Sequence, residues 1–122
     1  MKLDISGLHV DLEDDLKKYV TKKVNKLERY VPRQVRGSAH VIVVLKESHA
    51  KNKRQFTCEM TMVVPGEKIT VSESTLNIFA ATDIAEATMR NRLKKYKEMH
   101  VSQRAGSKEK TTRRFLGKIL SR

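Results

Sequence analysis

Along the first hundred residues, apolar positions switch between a period of two and a period near 3.6, and each switch marks an element. Residues 2–6 alternate, with Leu3 and Ile5 on one face, until Gly7 breaks the run. Leu12, Leu16, Val20, Val24, Leu27 and Val31 then recur at three- and four-residue spacing, which predicts an amphipathic helix ending near Pro32. Asp11 is its expected N-cap, and Glu13, Asp14 and Asp15 fill a first turn where the helix dipole favours anions. Residues 40–45 (HVIVVL) are β-branched and too few for a helix, which predicts a buried strand. Polar residues 48–52 read as a loop. Phe56, Cys58, Met60, Met62 and Val64 alternate with Gln55, Thr57, Glu59, Thr61 and Val63, a strand with one apolar face. Pro65-Gly66 has the chemistry of a type II turn, and Ile69 and Val71 mark a returning strand. From 78 to 99 the helical period resumes, with Ile78, Thr82, Ala85, Met89, Leu93 and Tyr96 on one face.

The resulting order, β-α-β-β-β-α, is an α+β fold: a four-stranded sheet with two helices packed on one face. Residues 1–100 form the expected domain. Residues 101–122 are expected to be a flexible basic tail, with a polar linker over 101–112. Within the tail, Phe115, Leu116, Ile119 and Leu120 fall in one arc of a short inducible helix.

Charge adds a partner to this picture. Lys and Arg number 26 against 14 Asp and Glu, a formal net charge of +12. Residues 1–100 hold 19 basic and 13 acidic side chains, and the last 22 residues hold 7 and 1. Lys18, Lys22, Lys26 and Arg29 lie opposite the apolar stripe of the first helix, with Lys23 beside them. Arg90, Lys94 and Lys97 form a second stripe on the later helix, and Arg92 and Lys95 lie on its other flank. Helices sharing one sheet face would merge these stripes into a basic platform suited to phosphates. Nucleic acid is the first candidate partner and an anionic membrane surface the second.

Catalysis finds little support. Four histidines occur without His-Glu-x-x-His, and the single Cys58 excludes Cys-x-x-Cys. His40, His49 and Cys58 could meet on adjacent strands, but ordinary sheet packing is the expectation, and Cys58 reads as a buried thiol. No glycine-rich phosphate loop exists, so neither enzyme nor cofactor is expected. The chain shows no run of about 20 apolar residues and no signal-peptide core, so the expected location is the cytoplasm.

The sequence resembles the ribosome hibernation-promoting factors, also called ribosome-associated inhibitor or sigma-54 modulation proteins. The resemblance spans roughly residues 1–100. It rests on Leu3-Asp-Ile-Ser-Gly7, Val24-Asn-Lys-Leu-Glu-Arg-Tyr30, Val43-Val-Leu-Lys46, Asn77-Ile-Phe-Ala-Ala-Thr-Asp83 and Arg92-Leu-Lys-Lys-Tyr-Lys97. It implies a short-form member, monomeric when free, with a fold similar to double-stranded-RNA-binding domains. Its implied partner is the small ribosomal subunit, meaning 16S-type ribosomal RNA and neighbouring ribosomal proteins. There such proteins occupy the decoding region and block messenger RNA and tRNA, preserving ribosomes in stress or stationary phase. Lys23, Lys26, Arg29 and Lys95 match the family's RNA-facing positions. Thr88 and Asn91 stand where short members often carry Lys and Arg, with Arg90 and Arg92 beside them.

The tail departs from the family, whose long members carry a second domain and some of whose short members end in an acidic extension. Arg104, Lys108, Lys110, Arg113 and Arg114 are candidate further RNA contacts; a solvated tail or docking through its apolar arc are the alternatives. A general duplex-RNA module, a transcription regulator acting on a sigma factor and an RNA-modifying enzyme compete with the main reading. Deleting residues 101–122 is expected to lower affinity for small subunits while leaving the domain folded. Unchanged affinity in a sedimentation titration would remove the tail from the interface.

Overall fold

Strand β1 (Lys2–Leu8) pairs in parallel with β2 (His40–Ala50), Leu3 opposite Val41 and Ile5 opposite Val43. A parallel pair needs a crossover between its strands. Helix α1 (Asp14–Asn25) supplies it. Strands β3 (Lys53–Val64) and β4 (Glu67–Thr75) follow as antiparallel neighbours, giving the sheet order β1-β2-β3-β4. Helix α2 (Ile78–Glu109) packs against β3 and β4 on the same face as α1. The computed structural model describes the backbone of residues 1–109 and the side chains of residues 1–99.

One core lies between sheet and helices. Val41, Val43 and Leu45 of β2 and Cys58, Met60 and Met62 of β3 meet Val20 and Val24 of α1 and Met89 and Leu93 of α2, all fully buried. Each such large apolar side chain contributes about 1.5–3 kcal/mol by leaving water.

The structure revises several local expectations. Helix α1 starts after Glu13, not Asp11, and no side chain caps it; the Asp11 carbonyl instead accepts the Glu13 N–H at 3.0 Å. It also ends at Asn25 rather than near Pro32. Tighter i→i+3 bonds, from Leu27 N–H to Val24 O and from Tyr30 N–H to Leu27 O, wind a 3₁₀ turn over Glu28–Tyr30. That turn keeps Leu27 and Val31 buried, so the apolar spacing outlives the α-helix. A second 3₁₀ segment, Arg33–Ser38, leads into β2.

Strand β2 is buried on one face only. Ile42 and Val44 are half-buried on the open side, among Thr61···Thr70 and Thr57···Ser74 hydroxyl pairs and a Lys46–Glu59 ion pair at 3.6 Å. Residues 48–52 are not a loop: β2 continues to Ala50, and the chain reverses at Lys51 and Asn52, with φ of 52° and 63°. Two successive left-handed residues match the twist of a hairpin. Gly66, at φ 82°, fits the expected type II turn. The 101–112 segment read as a linker is helical through Glu109, and its last three residues lie outside the described residues.

Helix α2 is capped by Asn77, whose Oδ1 accepts the Phe79 and Ala80 N–H groups at 2.7 and 3.1 Å. The two helices run side by side in one direction. Tyr19 meets Phe79 edge-on at 5.0 Å, and further along Lys97 Nζ donates to the Arg29 carbonyl at 3.3 Å. Between these points Asp83 accepts a hydrogen bond from the Tyr19 hydroxyl and pairs with Lys23 at 3.1 Å. Partial burial pushes the Asp83 carboxyl up, but Tyr19 and Lys23 outweigh it and hold the pKa below the ordinary value. The same pair raises the Lys23 ammonium, chiefly through its bond to Asp83.

A carboxylate with a lowered folded pKa stabilises above its unfolded value and loses that contribution as pH falls through the folded one. Asp83→Asn should therefore cost up to about 1 kcal/mol at neutral pH, the range of a partly exposed pair. In thermal melts, the gap between wild type and variant should close as pH falls below 3.8, the ordinary value for the group. A Cβ on Gly7 would stand 2.5 Å from the Val10 carbonyl oxygen and 3.3 Å from the Leu12 side chain. Gly7→Ala should thus destabilise by about 1–3 kcal/mol, seen as a lower midpoint in denaturant unfolding.

Candidate nucleic-acid interface

The C-terminal part of α1, the 3₁₀ turn after it and the middle of α2 enclose a groove of about 470 Å³. Lys23, Lys26, Arg29, Tyr30, Arg36 and Arg90 line it, with Glu28 and the buried Glu86. Helical periodicity places Lys26 and Arg90 there, and the i→i+3 turn swings Arg29 and Tyr30 in behind them. Arg36 is fixed from the second 3₁₀ segment, where its Nε donates to the Val31 carbonyl at 2.9 Å.

Tyr30 organises the rim. The Arg29 guanidinium lies 5.1 Å and the Lys94 ammonium 5.6 Å from its ring centroid, within cation–π range. Arg29 also donates to the Tyr30 hydroxyl at 3.1 Å, and that bond lowers the phenol's pKa. Deeper in, Arg90 Nη2 pairs with Glu86 at 3.2 Å. The Arg90 Nε is buried without a hydrogen-bond partner among the described residues. A buried unpaired N–H of a guanidinium costs free energy that an incoming acceptor oxygen recovers.

The basic residues expected from sequence divide into three sets. Lys26, Arg29, Lys23 and Arg90 converge on the groove, with Lys94 and Lys97 at its rim. Lys23 and Arg90 are already ion-paired there, so their net contribution to its field is reduced. Lys18 and Lys22 stand exposed on the outer side of α1, around a shallow depression shared with Lys17 and Lys26. Arg92 follows Arg90 by two residues, about 200° around the helix, and lies on the flank away from α1. Lys95 is exposed and turned from the groove on the same helix. The basic surface is a groove with an outer ridge, rather than one continuous platform. Arg104 and Lys108 lie on the described backbone of α2 without described side chains, and Lys110, Arg113 and Arg114 lie outside the described residues.

Sequence reasoning missed Tyr30, Arg36 and Lys17. Arg36 sits in a stretch without periodicity, so no pattern could aim it; Tyr30 carried a signal as an aromatic following Arg29 at a helix end and as the last residue of the Val24–Tyr30 motif.

The other candidates separate. Cys58 is fully buried and its thiol is pushed up to about 11, chiefly by burial. His40 projects from the opposite face of the sheet and bonds Asp4 at 2.7 Å. His49 pairs across the strands with Arg54, four residues beyond the Leu45–Cys58 rung. The three do not meet, and among the described residues no cluster of three His, Cys, Asp or Glu side chains is placed to hold a metal. Among the same residues no helix is long and apolar enough to cross a membrane.

Known proteins resemble this chain in sequence and in fold. A ribosome hibernation promoting factor of Azotobacter vinelandii is 28% identical over 108 residues, which is 88% of this chain and 94% of that one. The ribosome hibernation promotion factor of Deinococcus radiodurans is 28% identical over 100 residues; the match takes in 82% of this chain but only 51% of that longer protein. Among solved structures, the N-terminal domain of Thermus thermophilus protein Y superposes with a TM-score of 0.66 at 25% identity, over 79% of this chain and 99% of that one. A ribosomal subunit interface protein from Coxiella burnetii shares the fold, with a TM-score of 0.64 at 19% identity over 80% of this chain and 99% of its own. The family model described as Sigma 54 modulation protein / S30EA ribosomal protein matches residues 3–100, and the chain belongs to that family.

Proposed function

We propose that this protein is a ribosome hibernation factor. It binds the decoding region of the small ribosomal subunit, blocks messenger RNA and tRNA, and preserves ribosomes during stress or stationary phase. The groove carries the reading: five cationic side chains and an aromatic ring line it, and one of the cations has a buried donor without a partner among the described residues. Family membership and the hibernation factors named among its relatives support the same partner. Recognition by shape and phosphate contacts, as expected of a fold similar to double-stranded-RNA-binding domains, asks for no cofactor and no bond making. The protein acts in the cytoplasm, monomeric until it meets the ribosome, by steric occupancy alone.

Sucrose-gradient sedimentation with separated subunits at several salt concentrations tests this. Wild type should travel with small subunits and be displaced by messenger RNA with tRNA. Lys22→Ala, Lys26→Ala and Arg29→Ala together spare the Lys23–Asp83 pair, so the fold should hold. Binding should weaken, with the log–log salt slope shallower by about one for each phosphate no longer neutralised. Protein that stays at the top of the gradient while binding free duplex RNA would instead be a general RNA-binding module.

A further inference from the structure

Beyond the Leu8–Lys46 rung on one side and the Phe56–Thr75 rung on the other, β2 and β3 pair only with each other. Ser48 opposite Gln55, His49 opposite Arg54 and Ala50 opposite Lys53 form a two-stranded ribbon, with His9 beside Ser48 and His49 at its base. It reaches about 10 Å past the rest of the sheet before the turn. Residues 48–55 carry Lys51, Lys53 and Arg54 and no acidic side chain. Arg54 is braced at the root: its Nε donates to Glu47 at 2.6 Å and its guanidinium lies 5.2 Å from the Phe56 ring centroid. Glu47 also meets the His49 ring at 3.2 Å, so its carboxylate is occupied at the root and leaves the tip positive. No described ion pair engages Lys51 or Lys53, and both are exposed.

The ribbon and the groove lie toward opposite ends of β2. Arg36 lies four residues before the start of β2, and Glu28 reaches the N-terminal amine at 3.8 Å, so the groove sits by the start of β2. The ribbon is the far end of that strand, about 33 Å away at the usual rise. Near the ribbon's base the chain turns into α1 through Asp11, Glu13, Asp14 and Asp15. That acidic belt breaks the positive surface, so the ribbon is a second pole rather than an extension of the first.

We propose that this ribbon is a separate RNA-backbone contact, so that the protein bridges two RNA segments about 30 Å apart. The inference rests on the ribosomal RNA partner proposed above. Charge complementarity selects a polyanion, and the ribbon's cations address phosphates rather than base edges, because the A-form major groove is too deep and narrow to be read. Lysines on a hairpin also discourage strand-to-strand aggregation, and such lysines bind nothing. The two roles differ in what they predict for affinity.

The test measures small-subunit binding across salt concentrations, with backbone-cleavage footprinting of the ribosomal RNA, for three proteins beside wild type. Lys51→Gln with Lys53→Gln leaves the Arg54–Glu47 brace in place. It should weaken binding, flatten the salt slope by about two, and expose a set of nucleotides distinct from that exposed by the Lys22, Lys26 and Arg29 variant. Lys51→Arg with Lys53→Arg should bind as wild type, which separates missing charge from a disturbed turn. Unchanged affinity, slope and footprint in the glutamine variant would falsify the ribbon contact while the helix variant still upholds the ribosomal reading. Weaker binding with an unchanged RNA footprint would assign the ribbon to an acidic protein surface and overturn the RNA assignment. Wild type that fails to bind subunits at all would remove the underlying function instead.

Discussion

Everything in this molecule follows from the parallel pairing of β1 with β2. Two strands that point the same way cannot be joined by a hairpin, so the chain must travel back across the sheet, and α1 is that return path. Its apolar side then needs the sheet beneath it. Once α1 covers half of one face, α2 completes the layer beside it and buries Met89 and Leu93 over β3 and β4. The opposite face is left to hydroxyls and a few half-buried aliphatics.

Laying two basic helices side by side concentrates like charge, and the seam shows how that is tolerated. Asp83 and Glu86 lie one turn apart on α2 and engage Lys23 and Arg90, so two of the groove's cations are neutralised by a carboxylate. Tyr30 takes two more cations onto its ring without adding charge. Lys26, Arg29 and Arg36 in the groove and Lys18 and Lys22 outside it have no ion pair among the described residues, and a phosphate can reach them. Structural pairing and binding capacity are thus divided among residues that look equivalent in the sequence.

Periodicity makes the architecture legible because burial on one face imposes it: Cys58, Met60 and Met62 alternate, and Met89, Leu93 and Tyr96 recur by three and four. The same logic fails where two geometries satisfy one spacing. Leu27 and Val31 keep helical intervals although the chain has already tightened into a 3₁₀ turn, so the end of α1 is hidden in the pattern. The run His40–Leu45 reads as a buried strand because nearly every position is aliphatic, yet Ile42 and Val44 are only half-buried and no described element covers them. The hairpin tip reads as a loop because its strands carry no apolar alternation; backbone pairing alone extends them. The stripes of Lys and Arg are visible in the sequence, but their division into paired and free members depends on Asp83 and Glu86 facing across the seam between the helices. Arg36 enters the groove from a segment with no pattern at all.

The burial of the sulfur atoms bears on how the protein ages. Burial pushes the Cys58 thiol up and encloses it, so it is held as the thiol and away from peroxides. Met60, Met62 and Met89 are equally enclosed, while the exposed Met99 lies outside the core. Oxidation of Met99 to its sulfoxide would alter the surface and leave the packing alone. The sulfur atoms of the core are therefore shielded from oxidants that reach the surface, and the packing does not depend on the one exposed methionine thioether at Met99.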